Sequence, residues 1–110
     1  MDIIISGKNF KLTPSLKVYV QEKFGKLARY WGRIVRTRVE LDVEHNQATG
    51  EVYRVEAKVE VPGPDITIGE KASDMHAAID AVVEKLQRLI SKAKGKGERE
   101  LHRIRHRQGS

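Results

Sequence analysis

The chain contains no cysteine, which removes a disulfide framework, a thiol nucleophile and thiolate zinc sites, and fits a reducing compartment. It also has no long apolar run. The opening MDIIISGKNF sets only three isoleucines behind an acidic residue, which is not a signal peptide, and nothing approaches the ~18 apolar residues of a membrane span. A soluble, cytoplasmic protein without membrane association is expected. No repeat and no low-complexity linker precedes Lys94, and there is neither a phosphate-cradling glycine loop nor a Ser/His/Asp grouping. With 110 residues the chain makes one domain that can bury roughly 60–70% of its unfolded surface without metal or disulfide.

Catalytic and metal chemistry have little to work with. His45, His76, His102 and His106 are dispersed. His102 and His106 have the i, i+4 spacing of two ligands on one helix face, but nothing supplies further ligands and four nearby arginines oppose a cation. Glu40, Asp42 and Glu44 alternate along a strand between basic neighbours, which suits a solvated sheet better than acid–base catalysis, where one carboxyl must have a raised pKa in a cleft. The reading is no enzyme, no metal, no cofactor and no small-molecule substrate.

What the sequence does have is segregated charge. Residues 1–33 hold seven Lys/Arg against two Asp/Glu, residues 34–74 five against nine, and residues 75–110 nine against four. The balances are +5, −4 and +5 within an overall +6. The outer two segments are largely helical in pattern and the middle one reads as sheet. Segregation by element implies a surface built for a polyanion, with nucleic acid the favoured partner.

Ile3-Ile4-Ile5 before Ser6-Gly7 reads as a short strand buried on both faces. Thr13-Pro14 is a helix start, with threonine as N-cap and proline at a position whose N–H would go unpaired. Leu16, Val20, Phe24, Leu27 and Trp31 form its apolar stripe, and Gly32 is placed to end it. From Val35 the period becomes two: Val35, Thr37, Val39, Leu41 and Val43, then Tyr53, Val55, Ala57, Val59 and Val61 after a loop at 46–50, face one way. Pro62-Gly63-Pro64-Asp65 leads to a shorter third antiparallel strand at Ile66 and Ile68. Ser73 or Asp74 caps a second helix with the stripe Met75, Ile79, Val82, Leu86, Ile90 and Ala93, ended by Gly95 and Gly97. The residues after 97 are too charged to build a core and read as a basic mobile tail over 98–110.

The order β-α-β-β-β-α joins the first two strands through a helix and makes them parallel. The strands have one apolar face to cover, so both helices share it. An α+β two-layer sandwich with a four-stranded sheet is the expected fold.

At roughly 100° per residue, Lys85, Arg88 and Lys92 share one flank of the second helix, Lys96 continues the line, and Asp80, Glu84 and Ser91 lie on the other flank. Lys26, Arg29 and Arg33 repeat the i, i+3, i+7 spacing on the first helix, with Lys23 at the apolar border. Two basic ridges with a groove between them are expected. Glu22 and Glu84 stand four residues before Lys26 and Arg88, close enough for local ion pairs.

Three segments resemble the ribosome hibernation promoting factor family, to which protein Y also belongs. They are Ile5-Ser6-Gly7-Lys8-Asn9 running to Leu12-Thr13, then Glu22-Lys23-Phe24-Gly25-Lys26-Leu27 with Tyr30 and Arg33-Ile34, and Asp74-Met75-His76-Ala77-Ala78-Ile79-Asp80 continuing to Lys85-Leu86. The last is the specific one, and the likeness covers residues 1 to about 97. It implies a ribosome-binding domain over 1–97, similar to a double-stranded-RNA-binding domain with an added first strand and monomeric when free. It also implies a cytoplasmic stress protein that binds the small ribosomal subunit and its rRNA near the decoding region, blocking translation by excluding mRNA and tRNA. The rRNA-contacting positions it implies are Lys23, Lys26, Arg29, Lys85, Arg88, Lys92, Lys94 and Lys96, to which the helical spacing adds Arg33. The family usually has Tyr where this chain has His76, so a capping or surface role, rather than base stacking, is expected there. The residue pattern alone also admits a free-standing module for other structured RNA.

Overall fold

A computed structural model describes residues 2–48 and 50–96, with side-chain surroundings through Lys92. The tail over 98–110, with His102 and His106, lies outside the described residues. The elements run β1 (Asp2–Lys8), α1 (Pro14–Tyr30), β2 (Arg36–Asn46), β3 (Gly50–Glu60), β4 (Ile66–Ala72) and α2 (Met75–Lys96). They form one four-stranded sheet in the order β1-β2-β3-β4. β1 pairs parallel with β2, Ile3 beside Thr37, and the other pairings are antiparallel, with Val39 opposite Ala57 and Ala57 opposite Ile68.

α1 begins where Thr13, in extended conformation, accepts the Leu16 N–H at 3.3 Å and Pro14 takes the first turn. Asp74 starts α2 in the same way, its carboxylate accepting the Ala77 N–H at 2.9 Å. α1 lies against β1, and α2 lies over β3 and β4. Val20, Leu41, Val55, Ile79, Val82, Leu86 and Ile90 are fully buried, and Phe24 is 1% exposed. Burying each large side chain contributes roughly 1.5–3 kcal/mol. Ala78 and Leu89 are buried too, so α2's apolar face is wider than its stripe predicts, because the helix settles over two strands.

Four expectations are corrected. β1 is not buried on both faces: Ile4 is 43% exposed, because both helices cover the same side and leave the other open. Val35 is 60% exposed and precedes β2, its N–H bonding the Glu60 carbonyl at the sheet's end. Arg33 does not continue the α1 ridge, because the helix stops at Tyr30 and Trp31 turns away in extended conformation to enter the core. α2, by contrast, runs through Gly95 to Lys96.

The segment 5–9 earns its residues structurally. A side chain at Gly7 would collide with the Phe10 carbonyl oxygen, and Asn9 sits at φ 54°, a left-handed conformation that asparagine tolerates better than most residues. Together they fold the chain back from β1 toward α1.

Candidate nucleic-acid interface

The two layers dispose of their charge differently. On the open face of the sheet Arg36 and Arg38 reach Glu60 (3.9 and 3.4 Å), Arg54 reaches Glu44 and Glu56 (3.7 and 3.6 Å), Lys58 reaches Asp65 and Lys71 reaches Glu44 (both 3.6 Å). Such exposed pairs stabilise the fold by at most about 1 kcal/mol each. Their larger effect is to cancel the cations' distant field, with Glu44 shared between Arg54 and Lys71.

On the helix layer Lys26, Arg29, Arg88 and Lys92 enter none of the ion pairs among the described residues. Glu22 and Glu84 make no pair with Lys26 and Arg88. Lys85 and Lys23 are tethered: Lys85 meets Glu70 on β4 at 3.3 Å, and Lys23 meets Asp80 at 3.9 Å with its ammonium 5.4 Å from the Tyr19 ring centre. Arg33 is exposed in the turn after α1. Lys94 and Lys96 belong to the last turn of α2, and their side chains lie outside the described set.

Tyr19 and Tyr30 join the helices at two levels. Tyr19 donates to Asp80 at 2.6 Å, while the Tyr30 hydroxyl and Ser91 Oγ lie 3.0 Å apart. Each step from the first link to the second ascends both helices, so α1 and α2 run in the same direction. The hydrogen bond to Asp80, then burial and the nearby negative charge, push the Tyr19 hydroxyl's pKa up to about 12. His76 stands edge-on to Tyr19, ring centres 4.6 Å apart and planes at 76°, so it packs against α1 from an exposed position.

The groove between the helices is not walled by two basic ridges. Lys23, Lys26 and Tyr30 line it from α1, and Asp80, Glu84 and Gln87 from α2, over a floor of Leu27 and Val83. The reason is helical phase: the flank of α2 that meets α1 is the one bearing Asp80, Glu84 and Ser91, which turns Lys85 outward over β4. Arg88 and Lys92 border a shallower depression beside it with Gln87 and Ser91. The basic side chains therefore form two separate lines, one along the groove and one beyond it.

The linking roles of Tyr19 and Tyr30 are not legible in the sequence, although Tyr30 belongs to a segment of the family likeness. The local signal they share is position, each four residues from Lys23 or Lys26 on the same helical flank.

The family described as Sigma 54 modulation protein / S30EA ribosomal protein matches residues 3–98. A ribosome hibernation promoting factor of Escherichia coli is 36% identical over 96 residues, 87% of this chain and 96% of that one. Its counterpart in Pseudomonas putida is 34% identical over 96 residues, covering 87% and 89%. A ribosome hibernation promotion factor of Deinococcus radiodurans is 38% identical over 90 residues, 82% of this chain but 47% of the relative. Among solved structures, the Thermus thermophilus Protein Y N-terminal domain superposes with a TM-score of 0.68 at 31% identity, covering 78% of this chain and 91% of that domain. A ribosomal subunit interface protein from Coxiella burnetii shares the fold at a TM-score of 0.74 and 23% identity, over 86% and 99% of the two chains. The chain belongs to the Sigma 54 modulation protein / S30EA ribosomal protein family, that of the ribosome hibernation promoting factors.

Proposed function

We propose that this protein is a ribosome hibernation factor: its helix layer binds rRNA of the small subunit near the decoding region, and the bound domain blocks translation by excluding mRNA and tRNA. The observation that carries the reading is the contrast between the layers. Five of the sheet's six cations, all but Lys8, pair with neighbouring carboxylates among the described residues, whereas Lys26, Arg29, Arg88 and Lys92 stand outside such pairs, and phosphate is the partner such cations take. The contacts are assigned to those four, to Lys23, Arg33 and Lys85 beside them, and to Lys94 and Lys96 in the last turn of α2.

The mechanism is occupancy. Cationic side chains on two parallel helices, held at fixed separation by the tyrosine links, bind phosphates without reorganising the fold. The protein, cytoplasmic and monomeric when free, then fills space that messenger and tRNA need. Inhibition in a cell-free translation system should rise in proportion to ribosome occupancy, yield to excess messenger and initiator tRNA, and reverse on washing in high salt. Inactivation at far below one copy per ribosome would overturn occupancy. Pelleting with isolated small subunits in the presence of excess duplex RNA separates this reading from a general structured-RNA module, which the duplex would strip from the subunits.

A further inference from the structure

The interhelical groove is chemically unlike a phosphate site. It has about 480 Å³ of space between Lys23, Lys26 and Tyr30 on one wall and Asp80, Glu84 and Gln87 on the other, with Leu27 and Val83 beneath. A carboxylate beside a polyanion is repelled unless it receives hydrogen bonds. Asp80 already accepts from Tyr19 and pairs with Lys23, but Glu84 has no ion pair or hydrogen bond among the described residues. Glu84 is thus an exposed acceptor facing a slot with an apolar floor and cations opposite.

The geometry points to a binding site for one unstacked guanine of the bound RNA, a reading that rests on the RNA function proposed above. Structured RNA is read mainly through splayed-out bases, hydrogen-bonded on their Watson–Crick edges. Guanine is the base that offers two adjacent donors, N1–H and N2–H, to the two oxygens of one carboxylate. Adenine and cytosine place a ring acceptor beside their amino group, and uracil flanks its single N–H with two carbonyls, so each of them turns a lone pair toward Glu84. Gln87 lies one turn further along α2, about 4.5 Å in rise, where its amide can donate to guanine O6. Leu27 and Val83 meet the base's face, while Lys23 and Lys26 meet the phosphates on either side of it. The groove gives the protein a base-specific contact amid otherwise sequence-neutral ones.

The test has two arms. In the first, fluorescence anisotropy measures binding of heptamers of uridine whose central residue is guanosine, inosine or adenosine. Wild type should prefer guanosine by about tenfold, the effect of one good bidentate contact, and inosine, lacking N2–H, should lose most of it. Glu84→Gln should abolish the preference by presenting a donor where an acceptor is needed. Equal affinity of wild type for the three oligomers overturns the guanine site. In the second arm kethoxal, which reacts at guanine N1 and N2, probes isolated small subunits. Wild type should protect a guanine that Glu84→Gln leaves reactive, at matched occupancy measured by pelleting; identical footprints overturn the site. Normal pelleting with no guanosine preference refutes this inference and leaves the ribosome reading standing. A preference in the oligomers without pelleting refutes the ribosome reading instead.

Discussion

Neutralising the two outer cations of α2 should change the salt dependence of binding by a predictable amount. Arg88 and Lys92 make no ion pair among the described residues, so replacing both with alanine removes phosphate contacts without orphaning a carboxylate. Each phosphate neutralised contributes about −0.7 to −0.9 to the slope of log K against log salt. Lys26, Arg29, Arg88 and Lys92 alone would give roughly −3, and engagement of Lys94 and Lys96 as well would steepen it to about −4 to −5. The double variant should therefore be shallower by about 1.5, and its affinity should converge on wild type at high salt. Both side chains are exposed, so the melting temperature should move little. Fluorescently labelled protein titrated with small subunits between about 50 and 200 mM salt gives both slopes. Parallel lines for variant and wild type would refute the argument, because they would show that α2's outer line touches no phosphate.

Lys85→Ala should weaken binding less than Arg88→Ala, since Lys85 already shares its charge with Glu70 at 3.3 Å; an equal or larger loss in the same titration would contradict this. Tyr19→Phe removes the donor to Asp80 and should cost about 1–2 kcal/mol in a denaturant melt. Wild-type stability should also fall as pH rises from the ordinary tyrosine value near 10 toward about 12, because the folded state keeps a proton that the unfolded chain releases; Tyr19→Phe should flatten that slope, leaving the part due to Tyr53, whose pKa is raised by its hydrogen bond to Glu51. Gly7→Ala must push against the Phe10 carbonyl and should lower the thermal midpoint by about 10 °C or more, whereas a midpoint within about 2 °C of wild type would show that this turn yields freely. Asp74→Ala should cost about 1 kcal/mol by calorimetry and Asp74→Ser much less.

Periodicity made most of the fold legible. Leu16, Val20, Phe24 and Leu27 recur at helical spacing and Val55, Ala57 and Val59 at strand spacing, and all are buried. Periodicity failed where a run carries no phase: three isoleucines in a row cannot say which of them faces water, and only the placement of both helices on one side exposes Ile4. It failed again at Arg33, because a helical wheel continues past the point where Trp31 is drawn into the core. The candidate site was half legible. A helical wheel assigns each side chain to a flank but does not say which flank meets the neighbouring helix, so a groove between two basic ridges looked natural. Packing decided otherwise, placing Asp80 and Glu84 across from Lys23 and Lys26. The Tyr19–Asp80 bond joins residues 61 apart, a separation that no local pattern encodes.

The residues that carry the family likeness and those that carry the proposed contacts are mostly different sets. In the segment from Asp74 to Asp80, Asp74 caps α2, Met75, Ala78 and Ile79 are buried, and Asp80 accepts from Tyr19. Gly7 and Asn9 serve the exit from β1. These segments report a scaffold, and what they achieve is indirect: they fix the distance between two parallel helices at the Tyr19 end, while Tyr30 and Ser91 fix it at the other. A rigid frame means the RNA need not organise the protein on binding, so less of the binding energy is lost to ordering. The cations set on that frame can vary without disturbing it, because Arg88 and Lys92 support nothing in the core. A chain that kept the Asp74–Asp80 segment and lost those cations would fold alike and bind weakly, so affinity for RNA must be read from the charge left outside ion pairs on the helix layer rather than from the segment that identifies the family.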